Sequence, residues 1–460
     1  MNGTSQLEIE PSLIRRDVIK IAWPVLVELL LSSLFSMIDM MMLGWLPDKA
    51  ESAASVAAVG LTNQPLFIGQ SLVQSLNVGG TALIARYFGS KETEKIEPVL
   101  KHVILVSLFG LALPLSIIGI IFTPGILGLL GAKSDTISVG TSYFRILMIG
   151  FIFQSFNMSI AASLRGIGET RTPMRINLIA NFLNVFGNYI LIFGHLGLPR
   201  LGITGAGVST VLSNILVTIV LFGVVIKGKG VVKLNFKHRF RFNNTIVYNL
   251  VKIGIPATLE QLVLRTGILL FVRIVADLGT VSYATHQISL NILSLSFQPG
   301  QAFGIATSAL IGKSLGAGQL KHAESYTKVT RRFGVYISSF MALVFFFFGK
   351  YITALYTRDE EIIQNATVLL KIIALVQPFQ ASQLIVAGGL RGAGDTVWPL
   401  VSALVGVLVI RVGLAYLLVN VFNMALIGAW IAIFVDQFIR WIFVFARYKT
   451  GKWKYIKLKH

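Results

Sequence analysis

Leu164-Arg-Gly-Ile-Gly-Glu-Thr-Arg-Thr-Pro173 returns as Leu390-Arg-Gly-Ala-Gly-Asp-Thr-Val-Trp-Pro399. Six of the ten positions are identical, and Glu169 against Asp395 keeps the charge. Each copy lies between two long apolar stretches, so each reads as the same connector between the same two membrane helices. A long fixed period marks an internal duplication. The offset extends outward from the connectors. Val18-Ile-Lys-Ile-Ala-Trp-Pro24 matches Leu250-Val-Lys-Ile-Gly-Ile-Pro256, and Glu28 matches Glu260, one helical turn after each proline. Ala82-Leu-Ile-Ala-Arg-Tyr-Phe-Gly89 matches Ala309-Leu-Ile-Gly-Lys-Ser-Leu-Gly316, and Gly205-Ala206 matches Gly428-Ala429. One half of the chain is therefore a diverged copy of the other.

Composition places both copies in a bilayer. Of 460 residues, 54% are hydrophobic and 13% charged, about half the charged share of a soluble protein. The net charge of +20 does not signal nucleic-acid binding. Its cations sit in short loops between apolar spans, the pattern that orients helices against an anionic leaflet. The absence of cysteine excludes disulfides, thiol catalysis and thiolate metal sites. The histidines are scattered without metal-ligand spacing, so neither a metal nor another cofactor is expected. The polar residues 1–17 lead into an apolar run of roughly 28 residues, longer than a signal-peptide core.

Apolar stretches long enough to span a bilayer lie near 18–45, 55–84, 99–121, 137–162, 174–195, 204–226, 248–276, 282–312, 332–348, 363–388, 398–418 and 427–446. The expected fold is an all-α polytopic membrane protein, six spans per half. Residues 1–226 form an N-terminal six-helix bundle, 227–247 a basic linker, and 248–460 a C-terminal bundle with a basic tail. The odd-numbered connectors hold few cations (Lys49, Lys133, Arg200, Lys350, Arg358). The N-tail, the even-numbered connectors and the C-tail hold most of the rest, which puts both termini and both repeated connectors on the cytoplasmic side. An even number of spans per half gives both halves the same orientation. They should relate by a pseudo-two-fold axis along the membrane normal, with a central cavity between them. The linker cations Lys227, Lys229, Lys233, Lys237, Arg239 and Arg241 read first as an orientation signal and tether, and second as a lipid contact.

Each connector has a local logic. Its glycines permit a turn with φ > 0. Thr172-Pro173 suits an N-cap and first helical position. Arg165 and Arg391 close the preceding helix, where a cation suits the dipole.

An ionisable residue at membrane depth is a functional hypothesis by default. Asp39, in Leu34-Phe-Ser-Met-Ile-Asp-Met-Met-Met-Leu43, lies in the outer half of span one, and no cation in the adjacent turns neutralises it. Glu28, Ser32, Phe35 and Asp39 share one helical face, with Pro24 below as a kink point. On span five, Asn177, Asn181, Asn184 and Asn188 form a ladder on one face. Asn184 and Asn188 match the depth of Asp39. Asn177 and Asn181 read equally as helix–helix glue. Thr204, Asn63 and Gln64 sit at the outer ends of spans six and two. Phe35, Met37, Met42 and Phe67 are candidates for an adaptable apolar lining, or ordinary core. Glu28 is a possible second acid. Asp436 and Arg440 are spaced to pair within the last span, while Arg265, Arg273 and Arg411 are unassigned. Phe271 stands at the position nearest to Asp39 in the second half, so the halves have diverged in role.

With these features together, the chain resembles the multidrug and toxic compound extrusion (MATE) transporters, in their DinF-like branch. The likeness rests on the twelve spans in two halves and on Pro24 with Asp39. It rests also on the doubled Leu-Arg-Gly-x-Gly-acid-Thr connector and on Asn184-Val-Phe-Gly-Asn188-Tyr followed by Ile203-Thr204-Gly-Ala206. The resemblance implies a V-shaped pair of bundles that exports cationic amphipathic compounds in exchange for H⁺ or Na⁺. It makes Asp39 the proton carrier and Asn184 its amide partner. Many relatives have an aspartate at the position of Asn188, so a two-acid site would be reduced here to one carboxylate. The sodium-coupled branch uses acids on spans seven and ten. Here the tenth-span position is Gln380, and Glu260 lies too near Pro256 to match, which favours protons. A monomer in the cytoplasmic membrane is implied. The alternatives are a Na⁺-coupled drug exporter and a lipid-linked oligosaccharide flippase, which would use Arg265, Arg273 and Arg411 for a pyrophosphate. No converging acid/base set suggests an enzyme.

Overall fold

The duplication predicts that both connectors adopt one conformation, and they do. In the computed structural model, which describes residues 11–227, 231–235 and 240–458, Gly168 and Gly394 both have φ +84°. The Glu169 N–H donates to Leu164 O at 2.9 Å, and the Asp395 N–H donates to Leu390 O at 2.8 Å. The first glycine of each copy serves close approach instead. A Cβ on Gly392 would lie 2.2 Å from Ser308 O, and one on Gly166 3.1 Å from Thr81 O. The capping expectation at Thr172 is corrected. The helix begins at Arg171 with Thr170 as its N-cap. Glu169 reaches forward instead, its Oε1 accepting from the Thr172 N–H at 2.9 Å. A longer carboxylate one position earlier in the turn satisfies an orphan amide that a Thr172 cap would have left open.

Among the described residues the chain forms twelve long helical rods. These are α1 Pro11–Gly44, α2 Lys49–Gly89, α3 Thr93–Ile121, α4 Ser134–Gly166, α5 Arg171–Phe193 and α6 Gly202–Lys227. Then come α7 Asn244–Ala276, α8 Thr280–Gly316, α9 Leu320–Ala354, α10 Glu360–Ala374 with Gln377–Gly392, α11 Val397–Val421 and α12 Ala425–Lys449. Eight of these are single helices apolar and long enough to cross a membrane, and the bent α10 makes nine. The rods α2, α7 and α8 have the length but interrupt their apolar runs with amides, hydroxyls or charges. The tenth span, expected as continuous, is bent by 53°. Pro378 starts the second piece and lacks the N–H that would bond back to the carbonyl at Ala374. Both α3 and α11 contain widened π turns, at Val106–Ala112 and Leu404–Val412.

Packing divides the chain into two compact units. One comprises Val27–Phe88 and Glu92–Thr258, and the other Leu259–Leu458 with the described part of Met1–Leu26 and Gly89–Lys91. The units of packing thus differ from the halves 1–226 and 248–460 by a reciprocal exchange. The first turns of α1 belong with the C-terminal helices, where Ile14, Val18 and Ala22 bury against Phe303, Ala306 and Leu310. The first turns of α7 belong with the N-terminal helices. There, a Cβ on Gly79 would meet Leu250 O at 3.1 Å, and one on Gly254 would meet Leu76 Cα at 3.4 Å. Each crossing falls two residues after a proline, Pro24 or Pro256. Of the basic linker, Lys229, Lys237 and Arg239 lie outside the described residues.

The N-terminal unit packs Leu43, Phe144, Phe151 and Ile192 in its core. In the C-terminal unit, Phe271, Trp430 and Ile433 hold the corresponding place. The Asp436–Arg440 pair expected on α12 forms, with Nε and carboxylate at 2.9 Å. The unassigned Arg411 joins it, its Nη2 at 2.5 Å from Asp436 Oδ2. One fully buried carboxylate therefore serves two guanidinium groups.

Candidate functional site

The face predicted on α1 meets the ladder predicted on α5. The two helices run parallel, and their polar partners keep one register. Asn177 Nδ2 donates to Glu28 Oε1 at 2.7 Å, Asn181 Nδ2 to Ser32 Oγ at 3.2 Å, and Asn188 Nδ2 to Asp39 Oδ1 at 2.7 Å. The Asn184 amide has partners at both ends when its nitrogen faces Asp39. It then donates to Oδ2 at 3.2 Å while its oxygen accepts from the Thr210 N–H at 3.2 Å. Both carboxylate oxygens of Asp39 are thus held by neutral amides. A carboxylate so held keeps its hydrogen bonds in the charged form without a counter-cation.

Glycine brings the other helices in. A Cβ on Gly187 would lie 2.5 Å from Ser209 Oγ, and one on Gly205 2.5 Å from Leu191 O. Without side chains at these positions, α5 and α6 close against each other, which carries Thr210 to the Asn184 amide.

Asp39 opens onto a cavity of about 180 Å³ inside the N-terminal unit, with Asn63, Gln70, Tyr143, Gln154 and Asn214 on its walls. Among the described residues, no lysine, arginine or histidine lines it. Gln70 Nε2 donates to Gln154 Oε1 at 3.0 Å across one wall. Beside it, Asn157 Nδ2 donates to Asn214 O at 3.0 Å and Thr218 Oγ1 to Asn157 Oδ1 at 2.8 Å.

Several sequence candidates stand elsewhere. Asn63 lines the cavity, but Gln64 and Thr204 do not. Met42 is buried in the core. Met37 and Phe67 are exposed, and neither they nor Phe35 line the cavity. Met37 is two residues from Asp39, about 200° around the helix, so the two cannot share a face. Ser36, Met40 and Leu43 supply the α1 wall instead. Glu28 is not isolated, because Arg165 Nη2 lies 2.7 Å from its Oε1. Gln70, Gln154 and Asn214 were missed. The spacing Asn63–Gln70 along α2 and Tyr143, Leu147, Gly150, Gln154 along α4 repeats the face rule that revealed the asparagine ladder.

A twelve-rod, internally duplicated membrane protein with an amide-held carboxylate on a cavity wall has the form of a secondary transporter, and comparison with known proteins agrees. The MatE family model matches residues 24–190 and 256–417, and the chain belongs to that family of multi-pass membrane transporters. It is 30% identical over 452 residues to the probable multidrug resistance protein NorM of Thermotoga maritima, covering 96% of this chain and 93% of that one. It is 26% identical to the uncharacterized transporter YisQ of Bacillus subtilis, covering 95% and 94%. Among solved structures, a MATE transporter in complex with MaD3S matches with TM-score 0.88 at 22% identity, over 99% of this chain and all of that one. A Pyrococcus furiosus transporter of the MOP superfamily matches with TM-score 0.88 at 22% identity, over 99% of each chain. These likenesses establish the fold.

Proposed function

We propose that the protein is a proton-coupled antiporter of the DinF-like branch. In this reading it exports hydrophobic organic cations across the cytoplasmic membrane as a monomer, with both termini inside and Asp39 as the proton carrier. One observation carries the reading. Among the described residues, the only charged one on the cavity wall is a carboxylate held by two amides, with no lysine, arginine or histidine lining the cavity. Ionised Asp39 attracts a cationic ligand. A proton delivered from outside removes that charge and releases the ligand. The ligand drives the cycle only through its different affinity for the two states. At about 180 Å³ the cavity is smaller than the roughly 300 Å³ or more of drug-sized sites. It holds the charged end of a ligand in this conformation, and a larger opening belongs to another step of the cycle.

Support for protons over Na⁺ comes from the C-terminal unit. Glu260 is committed to Arg391 at 2.5 Å and Gln380 is a neutral amide, so these two positions offer no pair of free acids to hold a cation. The flippase reading is disfavoured because Arg411, one of the arginines it needs, is committed to Asp436.

The test is proton release from detergent-purified protein on adding ethidium. Wild type releases protons and Asp39→Asn does not. Ethidium affinity of wild type falls as pH is lowered, because the proton competes for the carboxylate, and the mutant's affinity is flat. Wild-type pH dependence in the mutant removes the assignment.

A further inference from the structure

We infer that Glu28–Arg165 and Glu260–Arg391 are a matched pair of positioning clamps, and that the first sets the register of α1 against α5 and so holds Asp39 in place. This rests on the reading of Asp39 as the proton carrier.

The geometry is the same twice. Each glutamate stands four residues after a proline and two after the point where its helix passes from one packing unit to the other. Each is about 5% exposed or less. Each accepts a guanidinium Nη2 from the arginine of the repeated connector, at 2.7 Å and 2.5 Å. Each keeps its second oxygen, Oε2, without a partner among the described residues. The clamp therefore ties the first turn beyond an in-helix proline to the connector between the fourth and fifth rods of its half.

The second half separates this device from proton handling. There Phe271 stands opposite Asp39, while Ala403 and Val407 stand opposite Asn177 and Asn181. Where α7 meets α11, a Cβ on Gly267 would run into the Val407 side chain. The outer acid and the amide ladder are absent together, yet the ion pair stays. A carboxylate kept opposite its arginine in a half with no outer acid is not there to relay a proton. A guanidinium left alone in the interior is also costly, which opposes loss of charge at its partner. What the first half adds is the ladder. Asn177 binds the clamp itself, and Asn181 and Asn188 carry the same register one and three turns along to Asp39.

The experiment compares Glu28→Gln, Arg165→Gln and their double variant with Glu260→Gln, Arg391→Gln and theirs, in full-length protein. Thermal midpoints are measured in detergent, with ethidium affinity across pH and protons released per ethidium bound. Each single variant lowers the midpoint by several degrees, and each double variant recovers part of the loss because no charge is orphaned. Of the two glutamate variants, Glu28→Gln moves the pH at which ethidium binding is half-lost, and Arg165→Gln, which breaks the same clamp, moves it in the same direction. Glu260→Gln leaves it in place. Both glutamate variants release the wild-type number of protons. The proposal is overturned if Glu28→Gln releases fewer protons per ethidium, which would make Glu28 a carrier. It is overturned equally if the double variants show no recovery, or if both glutamines shift the pH profile alike. Failure of the coupling reading shows separately, in Asp39→Asn keeping the wild-type pH profile; the midpoint cycles need no proton.

Discussion

Asp39 owes its readiness to what surrounds it. Asn188 is 1% exposed and donates to Oδ1 at 2.7 Å, a geometry in which neutral amide and anion both gain. Asn188→Leu removes that donor and leaves the ionised carboxylate short of one bond. Hydrogen bonds to charged groups contribute about 1.5–3 kcal/mol, so ethidium affinity near neutral pH should fall by about tenfold or more. Isothermal titration checks it, and an unchanged affinity would mean that Asn184 alone suffices. At this scale the sequence was informative wherever a residue was odd for its surroundings. A lone acid among methionines and four asparagines on one helical face stood out. Gln70 and Gln154 did not, since glutamines scattered in apolar helices carry no signal of the 3.0 Å contact that joins them. Glu28 stood out too, but its partner lies 137 residues away, and a repeat reveals that two positions matter without revealing that they touch.

Helices here are positioned by what is missing as much as by what is present. On α6, a Cβ at Gly205 would meet backbone atoms of Leu191 at 2.5 and 2.7 Å, whereas one at Gly223 would meet nothing within 4 Å. Backbone cannot rotate away as a side chain can. Gly205→Leu should therefore force α5 and α6 apart, at the cost of about 1–3 kcal/mol or more expected of overpacking. Gly223→Leu on the same helix should be near neutral. A pair of thermal midpoints decides it, and equal effects would contradict the close approach. The rods themselves were legible from apolar length. Their internal departures were not: the bend at Pro378 needed the neighbouring helices to decide whether the proline kinks or is absorbed, and the π turns of α3 and α11 leave no mark in hydropathy. Three rods, α2, α7 and α8, fall below a simple apolar threshold because they carry the polar groups that face the interior.

For the whole molecule, the duplication explains an exchange that no local pattern announces. The first turns of α1 bury Val18 and Ala22 completely, against the C-terminal helices. The first turns of α7 bury Leu250 completely, beside Gly79. Each sequence half therefore leaves an apolar helix end that only the other half covers. Burying a large aliphatic side chain contributes about 1.5–3 kcal/mol, and several such residues on each exchanged end are a substantial share of a folding free energy of about 5–15 kcal/mol. Residues 1–229 and 230–460 expressed as separate chains should then behave in a defined way. Either chain alone should be degraded or aggregate, since its exchanged end has nothing to cover it. Co-expressed, the two should co-purify and bind ethidium, because the exchange supplies contacts that do not depend on the linker being continuous. Pull-down through a tag on one chain measures this, and a half that accumulates alone as a monodisperse species would show that the exchanged ends add little. The same logic accounts for the limit of sequence reading at this scale. Offsets between repeats place corresponding residues and orient the halves, but which half covers which helix end is decided by side-chain fit across the whole fold.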